Sequence, residues 1–372
     1  MILSGGYEMI NIKIAEYRKK FEMTQVALAQ QLGVSFQSIS KWETGAAYPD
    51  IVMLTKLADF FNVSLDDLIG RNNSFNDDIR KDNPTFWGKK LNYLLETRKD
   101  LWNDDYFEFL VLKVWHFEKP IDVVDFGCGY GYLGLKLLPL LPEGSTYTGI
   151  DASSELIKEA EEIFSNSSFQ TEFINCDLYE YESKKVYDVA ICQAIIRHLN
   201  HPEIVLEQMV NSTKVGGKVI CIEVDRLTEE IGYFNSSISY DPFIQLNIFE
   251  KLWKNELKRG GRDYSIGIKI PSMLNELGLA NIEARVNDKV LTTTDKKNIE
   301  SLMDARGWNK KDMDCFISKF KVHLLENNVD KGDIEAYILW YRENIESLVD
   351  ISNDDMITFF RGLIITYGNK IE

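Results

Sequence analysis

This 372-residue chain is poor in cysteine, poorer in histidine, and short of the positive charge needed to balance its acids. Its five cysteines (Cys128, Cys176, Cys192, Cys221 and Cys315) form no CxxC pair. An odd, scattered set points to free thiols in a reducing cytoplasm, and argues against a disulfide framework or a thiolate metal site. Four histidines leave little for an imidazole-based centre, so no metal is expected. The formal net charge of -16 argues against a protein that coats nucleic acid or an anionic membrane by long-range attraction, but it leaves room for a small DNA-reading module. No apolar run reaches the roughly 18 residues of a membrane span. The first nine residues lack the basic flank and apolar stretch of a signal peptide, and Met9 could be an alternative start. Internal repeats and low-complexity segments are missing as well. What remains is a chain with 45% hydrophobic residues, enough for real cores, and a length that suits about two or three domains.

The stretch Val123-Val124-Asp125-Phe126-Gly127-Cys128-Gly129-Tyr130-Gly131 reads as a buried strand, a glycine loop and the start of a helix. Glycines at 127, 129 and 131 remove side chains where a backbone must turn and approach a ligand. Such a loop is a weak signal until an acid follows at the end of a second strand, and Asp151 does so after Tyr147-Thr148-Gly149-Ile150. Asp125, ahead of the glycines, suits a ligand with a cationic amine. A third strand over residues 172–178 carries Asp177 near its end, with Leu178 next, and a fourth over 187–194 places Gln193 at its carboxyl end, where ligands bind in open α/β sheets. A helix follows Ala152-Ser153-Ser154, another spans 202–213, and residues 219–224 make a fifth strand. Alternation of this kind implies a parallel sheet with helices on both faces.

In this order the motifs resemble the class I S-adenosylmethionine-dependent methyltransferases of the small-molecule branch, over residues 121–225. The resemblance implies a Rossmann-like α/β domain that binds S-adenosyl-L-methionine. Asp125, Gly127, Gly129, Gly131, Asp151, Ala152, Asp177, Leu178 and Gln193 would surround the cofactor, with Asp151 on the ribose hydroxyls and Asp177 and Leu178 at the adenine. In that branch the segment before the first strand often caps the cofactor, and Tyr106 or Trp102 could do this; a core aromatic stripe is an equal alternative for either. Methyl transfer needs alignment and exclusion of water, and a base only where the nucleophile must lose a proton. His198, Glu223 and Asp225 stand near strand tips, and His198 and Asp225 are taken as the catalytic candidates. No Asn/Asp-Pro-Pro-Tyr string and no Pro-Cys nucleophile follows strand four, which disfavours nucleic-acid methylation.

Residues 10–70 read as a bundle of short helices. Thr24 caps a helix to Leu32, Gly33-Val34 turns, Ser35 caps a third helix through Glu43, and a fourth runs from residue 48 to Phe61. Val26, Ala29, Leu32, Val34, Ile39 and Trp42 recur on what should be inward faces. The string Thr24-Gln25, Leu28-Ala29, Leu32-Gly33-Val34-Ser35, Ile39-Ser40-Lys41-Trp42-Glu43, Gly45 and Pro49 resembles the Cro/C1 (XRE) repressor family. That implies double-stranded DNA as partner, the third helix in the major groove, and a homodimer on a palindrome. Phe36, Gln37, Ser40 and Lys41 would meet bases, and Gln25 and Thr44 phosphates. The alternative is a module that only dimerises or holds a partner.

The expected organisation is therefore an all-α helix-turn-helix domain at 10–70, a linker at 71–83, a methyltransferase domain at 84–295 with an inserted cap at 226–262, and a helical extension at 296–372. Residues 267–277 read as a helix and 282–291 as a strand on an antiparallel edge. Two functions fit: a cytoplasmic small-molecule methyltransferase fused to a transcription regulator, or a regulator whose methyltransferase-like domain senses S-adenosylmethionine or a metabolite without turnover.

Overall fold

The computed structural model describes residues 12–21, 23–61, 68, 91, 94–95, 98, 101–258, 262–306, 308, 310–311, 313–352 and 355–371. The linker expected at 71–83 and the short helix expected after residue 63 lie outside them, Leu68 excepted. The chain divides into two compact units, residues 1–79 with 311–331, and residues 80–310 with 332–372.

In the first unit, helices α1 (Ile14–Lys20), α2 (Gln25–Leu32), α3 (Phe36–Glu43) and α4 (Ile51–Phe61) surround a small core of Ile14, Leu28, Ala29, Ile39, Leu57, Ala58 and Phe61. Local chemistry sets the boundaries. Thr24 Oγ1 accepts from Ala27 N and Ser35 Oγ from Ser38 N, each 3.1 Å, so both helices are capped as the residues predict. Gly33, at φ +68°, ends α2 in the left-handed region. Val26, expected inward, is 51% exposed, because Leu28 and Ala29 already fill that side. The unit also includes a helix at Met313–Glu326.

The second unit is built on a seven-stranded sheet. Its strands in chain order are β1 (Asp122–Phe126), β2 (Thr146–Asp151), β3 (Gln170–Asn175), β4 (Tyr187–Gln193) and β5 (Thr213–Val224). A later strand at Leu279–Val286 and the final one at Leu363–Lys370 complete it. Counting the short strands β6 (Tyr233–Asn235), β8 (Val290–Thr293) and β9 (Ile357–Phe360), these two are β7 and β10, and the sheet order is β3-β2-β1-β4-β5-β10-β7. Strands β1 to β5 pair in parallel. Alternate residues face opposite sides: Val123, Ile191, Ile220 and Ile365 pack under Leu133, Leu137 and Phe107, while Val124, Ala190, Cys192 and Cys221 pack under Val205, Leu206, Met209 and Ile270.

Two sequence expectations change here. Residues 296–372 are not wholly helical: β10 pairs antiparallel with both β5 and β7 and sits inside the sheet. The antiparallel strand is therefore β10, and β7 is an edge strand running the same way as β5. The residues expected as one strand at 282–291 are split, because β8 leaves for a separate three-stranded sheet, β6-β9-β8.

Candidate functional site

At the carboxyl ends of β1, β2 and β4 lies a cavity of about 140 Å³. Asp125, Gly127, Gly129, Asp151, Ala152, Asp177, Leu178, Gln193 and His198 all line it, so most of the residues singled out in the sequence converge. Tyr130, inside the glycine loop, lines it too, as do Arg98 and Leu156, which no sequence motif marked.

Asp125 is 1% exposed and registers beside Gly149 of β2. Tyr147, two residues back on β2, donates its hydroxyl to Asp125 Oδ2 at 2.5 Å, while Oδ1 is buried with no hydrogen-bond partner among the described residues. Burial is the main cause that pushes the Asp125 carboxyl up to about 7; the Tyr147 bond opposes it and neighbouring Asp151 adds to it. The Tyr147 phenol is driven well above its usual range by burial and by Asp125, so it stays a donor. A buried carboxylate with an orphaned oxygen is costly unless a cation or donor completes it.

Asp151 ends β2 and knits the loops together: Gly129 N donates to Oδ2 at 2.9 Å and Ser153 N to Oδ1 at 2.8 Å. Burial raises its pKa, and these two bonds pull it back. Each carboxylate oxygen keeps a further acceptor site. Asp177 lies two residues past the end of β3, exposed, with Oδ1 accepting from Tyr179 N at 2.9 Å. Gln193 is held by Trp102, whose Nε1 donates to Oε1 at 3.0 Å, which leaves the Gln193 amide protons for other acceptors.

The three glycines differ in kind. A Cβ on Gly129 (φ +55°) would meet nothing within 4 Å, so this backbone is bare beside the cavity. A Cβ on Gly131 would come within 2.8 Å of Phe164, and one on Gly127 within 2.5 Å of Ile195, so these two are small for packing, and Gly131 does not line the cavity. Ala194, next to Gln193, sits at φ +56°, an uncommon conformation for a residue with a side chain.

Three further expectations are corrected. Tyr106 does not line the cavity; its hydroxyl donates to Val286 O at 3.1 Å and its ring stacks on Phe109. Asp225 caps helix α9 (Arg226–Ile231; counting α5 Asp104–Phe109, α6 Tyr132–Leu137, α7 Ser154–Phe164 and α8 Pro202–Asn211), accepting Thr228 N at 2.8 Å and Thr228 Oγ1 at 2.7 Å on one oxygen. It does not line the cavity. His198 does, but Arg197 Nε donates to its Nε2 at 3.1 Å. Burial, and then Arg197, Arg262, Arg98 and Arg226, hold its pKa well below the usual imidazole value. With Nε2 accepting, the ring proton belongs on Nδ1, so the side chain offers a donor and is not set up as a base. Glu223, also considered, is fully buried; its Oε2 accepts from Arg197 N at 3.3 Å, and burial pushes it up to about 7.

In the first unit, α3 presents Phe36 (46% exposed), Gln37 and Lys41, with Ser40 half-buried. Thr44 Oγ1 donates to Ser40 O at 2.9 Å. Gln25 is engaged within the fold: its Nε2 donates to Glu43 Oε2 at 2.7 Å. Arg18 closes the set, donating to Glu43 Oε1 at 2.6 Å, to Oε2 at 2.9 Å and to Met23 O at 2.7 Å. The pair is largely buried and ties α1 to the end of α3.

Two family models match the chain, a helix-turn-helix at residues 14–68 and a methyltransferase domain at residues 117–261. A ubiquinone biosynthesis O-methyltransferase from Rickettsia akari is 27% identical over 123 residues, 32% of this chain and 48% of that protein. The HTH-type transcriptional activator BcrR from Enterococcus faecalis is 42% identical over 59 residues, 16% of this chain and 29% of that one. The chain thus spans about half or less of the length of these relatives. Phosphoethanolamine N-methyltransferase 2 of Haemonchus contortus, solved in complex with S-adenosyl-L-methionine, aligns with 81% of this chain and 61% of its own at 15% identity and a TM-score of 0.41.

Proposed function

We propose that this chain, a helix-turn-helix domain joined to a class I methyltransferase domain, binds S-adenosylmethionine in the cavity at β1, β2 and β4, methylates a small molecule there, and reads double-stranded DNA through α3 as a homodimer. The observation that carries the cofactor reading is Asp125 Oδ1, buried beside the cavity without a hydrogen-bond partner among the described residues. A primary ammonium supplies what that oxygen lacks. Arg98 lines the same cavity and suits the carboxylate of the same amino-acid moiety. Gly129 lets the ligand approach the backbone, Asp151 has acceptor sites left for the two ribose hydroxyls, and Asp177, Leu178 and Ala152 frame the adenine end. When bound, the cofactor supplies a methyl group activated on a cationic sulfur. The chain's own residues align the acceptor and exclude water.

Calorimetric titration with S-adenosylmethionine tests this: one site should appear, and Asp151→Ala should weaken it at least about tenfold, a loss of about 1.4 kcal/mol. Absence of heat in the folded wild-type protein would refute it. The sensor reading draws support from His198, which is not prepared to take a proton. Binding of the protein to its own upstream DNA, measured with and without cofactor, separates the two: a regulator must show a ligand-dependent change in DNA affinity.

A further inference from the structure

We infer that the homodimer forms through β7, edge to edge, so that the sheets of two copies join antiparallel about a two-fold axis at Ala284. This rests on the homodimer part of the reading above and goes beyond it by naming the surface.

β7 (Leu279–Val286) ends the sheet: β10 covers one side of it, and no strand among the described residues covers the other. The ladder shows which groups the open side presents. Asn287 N donates to Leu363 O at 3.0 Å, in line with the register Val286↔Ile364, Arg285↔Ile365, Ala284↔Thr366 and Glu283↔Tyr367. Bonded and non-bonded pairs alternate along an antiparallel ladder. Glu283 and Arg285 therefore bond to β10, while Ala284 and Val286 turn their N–H and C=O groups outward. Val286 O does accept from outside the sheet, from the Tyr106 hydroxyl at 3.1 Å. The shift in register near Asn281, at φ +52°, bends only the first half of the strand and leaves residues 283–286 regular. An open edge is a template for another strand, and β7 contains neither of the usual guards, lysine and proline.

Its own sequence selects the occupant. Ile282-Glu283-Ala284-Arg285-Val286 is complementary to itself when laid antiparallel on a copy. With Ala284 on the axis, Ala284 meets the partner's Ala284, Glu283 meets the partner's Arg285, and Ile282 meets the partner's Val286. A two-fold axis repeats each contact, giving two ion pairs on one face and two apolar pairs on the other. The charged side chains already stand on one face of the edge, 59% and 37% exposed. The Tyr367 hydroxyl accepts from Arg285 Nε at 3.1 Å and donates to Glu283 Oε2 at 2.6 Å, and both groups keep further hydrogen-bonding sites. On the opposite face Val286 is 55% exposed. Moving the axis to residue 283 or 285 would set like charges against each other, so the charges also fix the register.

The test is equilibrium sedimentation of the full chain, with thermal melts and S-adenosylhomocysteine titration as controls for folding. The wild type should sediment as a dimer, about twice 42.9 kDa. Arg285→Glu and Glu283→Arg should each weaken the dimer at least about tenfold, because each sets like charges across the axis twice, and the double swap should restore it. Ala284→Pro should give a folded monomer, since the N–H it removes points away from β10. Nucleoside affinity should stay unchanged in all of them, because β7 does not line the cavity. A dimer indifferent to these substitutions, or a double swap no tighter than either single one, overturns the inference and leaves the homodimer reading standing. A wild-type chain that sediments as a monomer overturns both.

Discussion

If Asp125 meets the ligand's ammonium, cofactor affinity must depend on pH in a way the geometry fixes. In the free protein the carboxyl is fully buried and titrates near 7, with burial the dominant cause, Tyr147 opposing and Asp151 reinforcing. Only the ionised form pairs with a cation, so binding below that pH must expel a proton. The ionised fraction falls from about nine-tenths at about pH 8 to about one-tenth at about pH 6, so affinity for S-adenosylhomocysteine should drop about tenfold across this range, or about 1.4 kcal/mol. Calorimetry in buffers of different ionisation enthalpy should register release of about half a proton at about pH 7. Asp125→Asn keeps an acceptor for Tyr147 and should bind more weakly at high pH, with a much shallower pH dependence; Asp151, raised by burial as well, supplies whatever slope is left. An affinity that is flat from about pH 6 to about pH 8, or a slope that Asp125→Asn leaves intact, would refute the reasoning.

Asp125 and a second buried acid, Glu223, also make the stability of the ligand-free protein depend on pH. Asp125 and Glu223 both titrate near 7 when folded, above their ordinary 3.8 and 4.5. The folded state therefore holds more protons between these limits, and stability present below about pH 4 is lost as pH rises through 7, by up to about 4 and about 3 kcal/mol respectively. Urea unfolding should find Asp125→Asn more stable than wild type at about pH 8 and indistinguishable below about pH 4. Gly129→Ala should lower cofactor affinity, because its Cβ enters open space beside the cavity, and should also cost about 1 kcal/mol of stability, because the residue sits at φ +55°; Gly131→Ala should destabilise more, because at φ +82° its Cβ also meets Phe164 at 2.8 Å. Thermal melts paired with titrations separate the two effects. Glu43→Ala should cost the N-terminal domain about 3–5 kcal/mol by stranding Arg18, and DNA binding should fall with the loss of helix α3 in a gel shift.

Much of this site was legible because the signals were local. A hydrophobic strand, a loop that tolerates positive φ and a capped helix each depend on a few neighbouring residues, and β1, β2, α2 and α3 form where their residues predict. The acids Asp125 and Asp151 follow from the same pattern, since a strand end fixes where its last side chain points. What escaped was set by distant partners. Leu363-Ile364-Ile365-Thr366-Tyr367 is a fair strand sequence, but it closes a long helical stretch, and only its pairing with β5 and β7 reveals it. Arg98 carries no motif; it matters because its segment reaches the cavity. Asp225, taken for a strand-tip acid, is followed at the third position by Thr228, whose N–H it accepts: a helix-cap spacing present in the sequence and not weighed there. The glycines of the loop read as equivalent, although the packing of Ile195 and Phe164 makes only Gly129 an open one. His198 had the right residue type and position, and its neighbour Arg197 changed what it can do.

The central claim is tested most directly by a crystal structure of the full chain grown with S-adenosylhomocysteine. The account predicts the amino group within hydrogen-bond distance of Asp125 Oδ1, the carboxylate at Arg98, both ribose hydroxyls on Asp151 and the adenine beside Leu178. A nucleoside lying elsewhere, or one whose amino group avoids Asp125 and leaves that oxygen unpartnered, would contradict it.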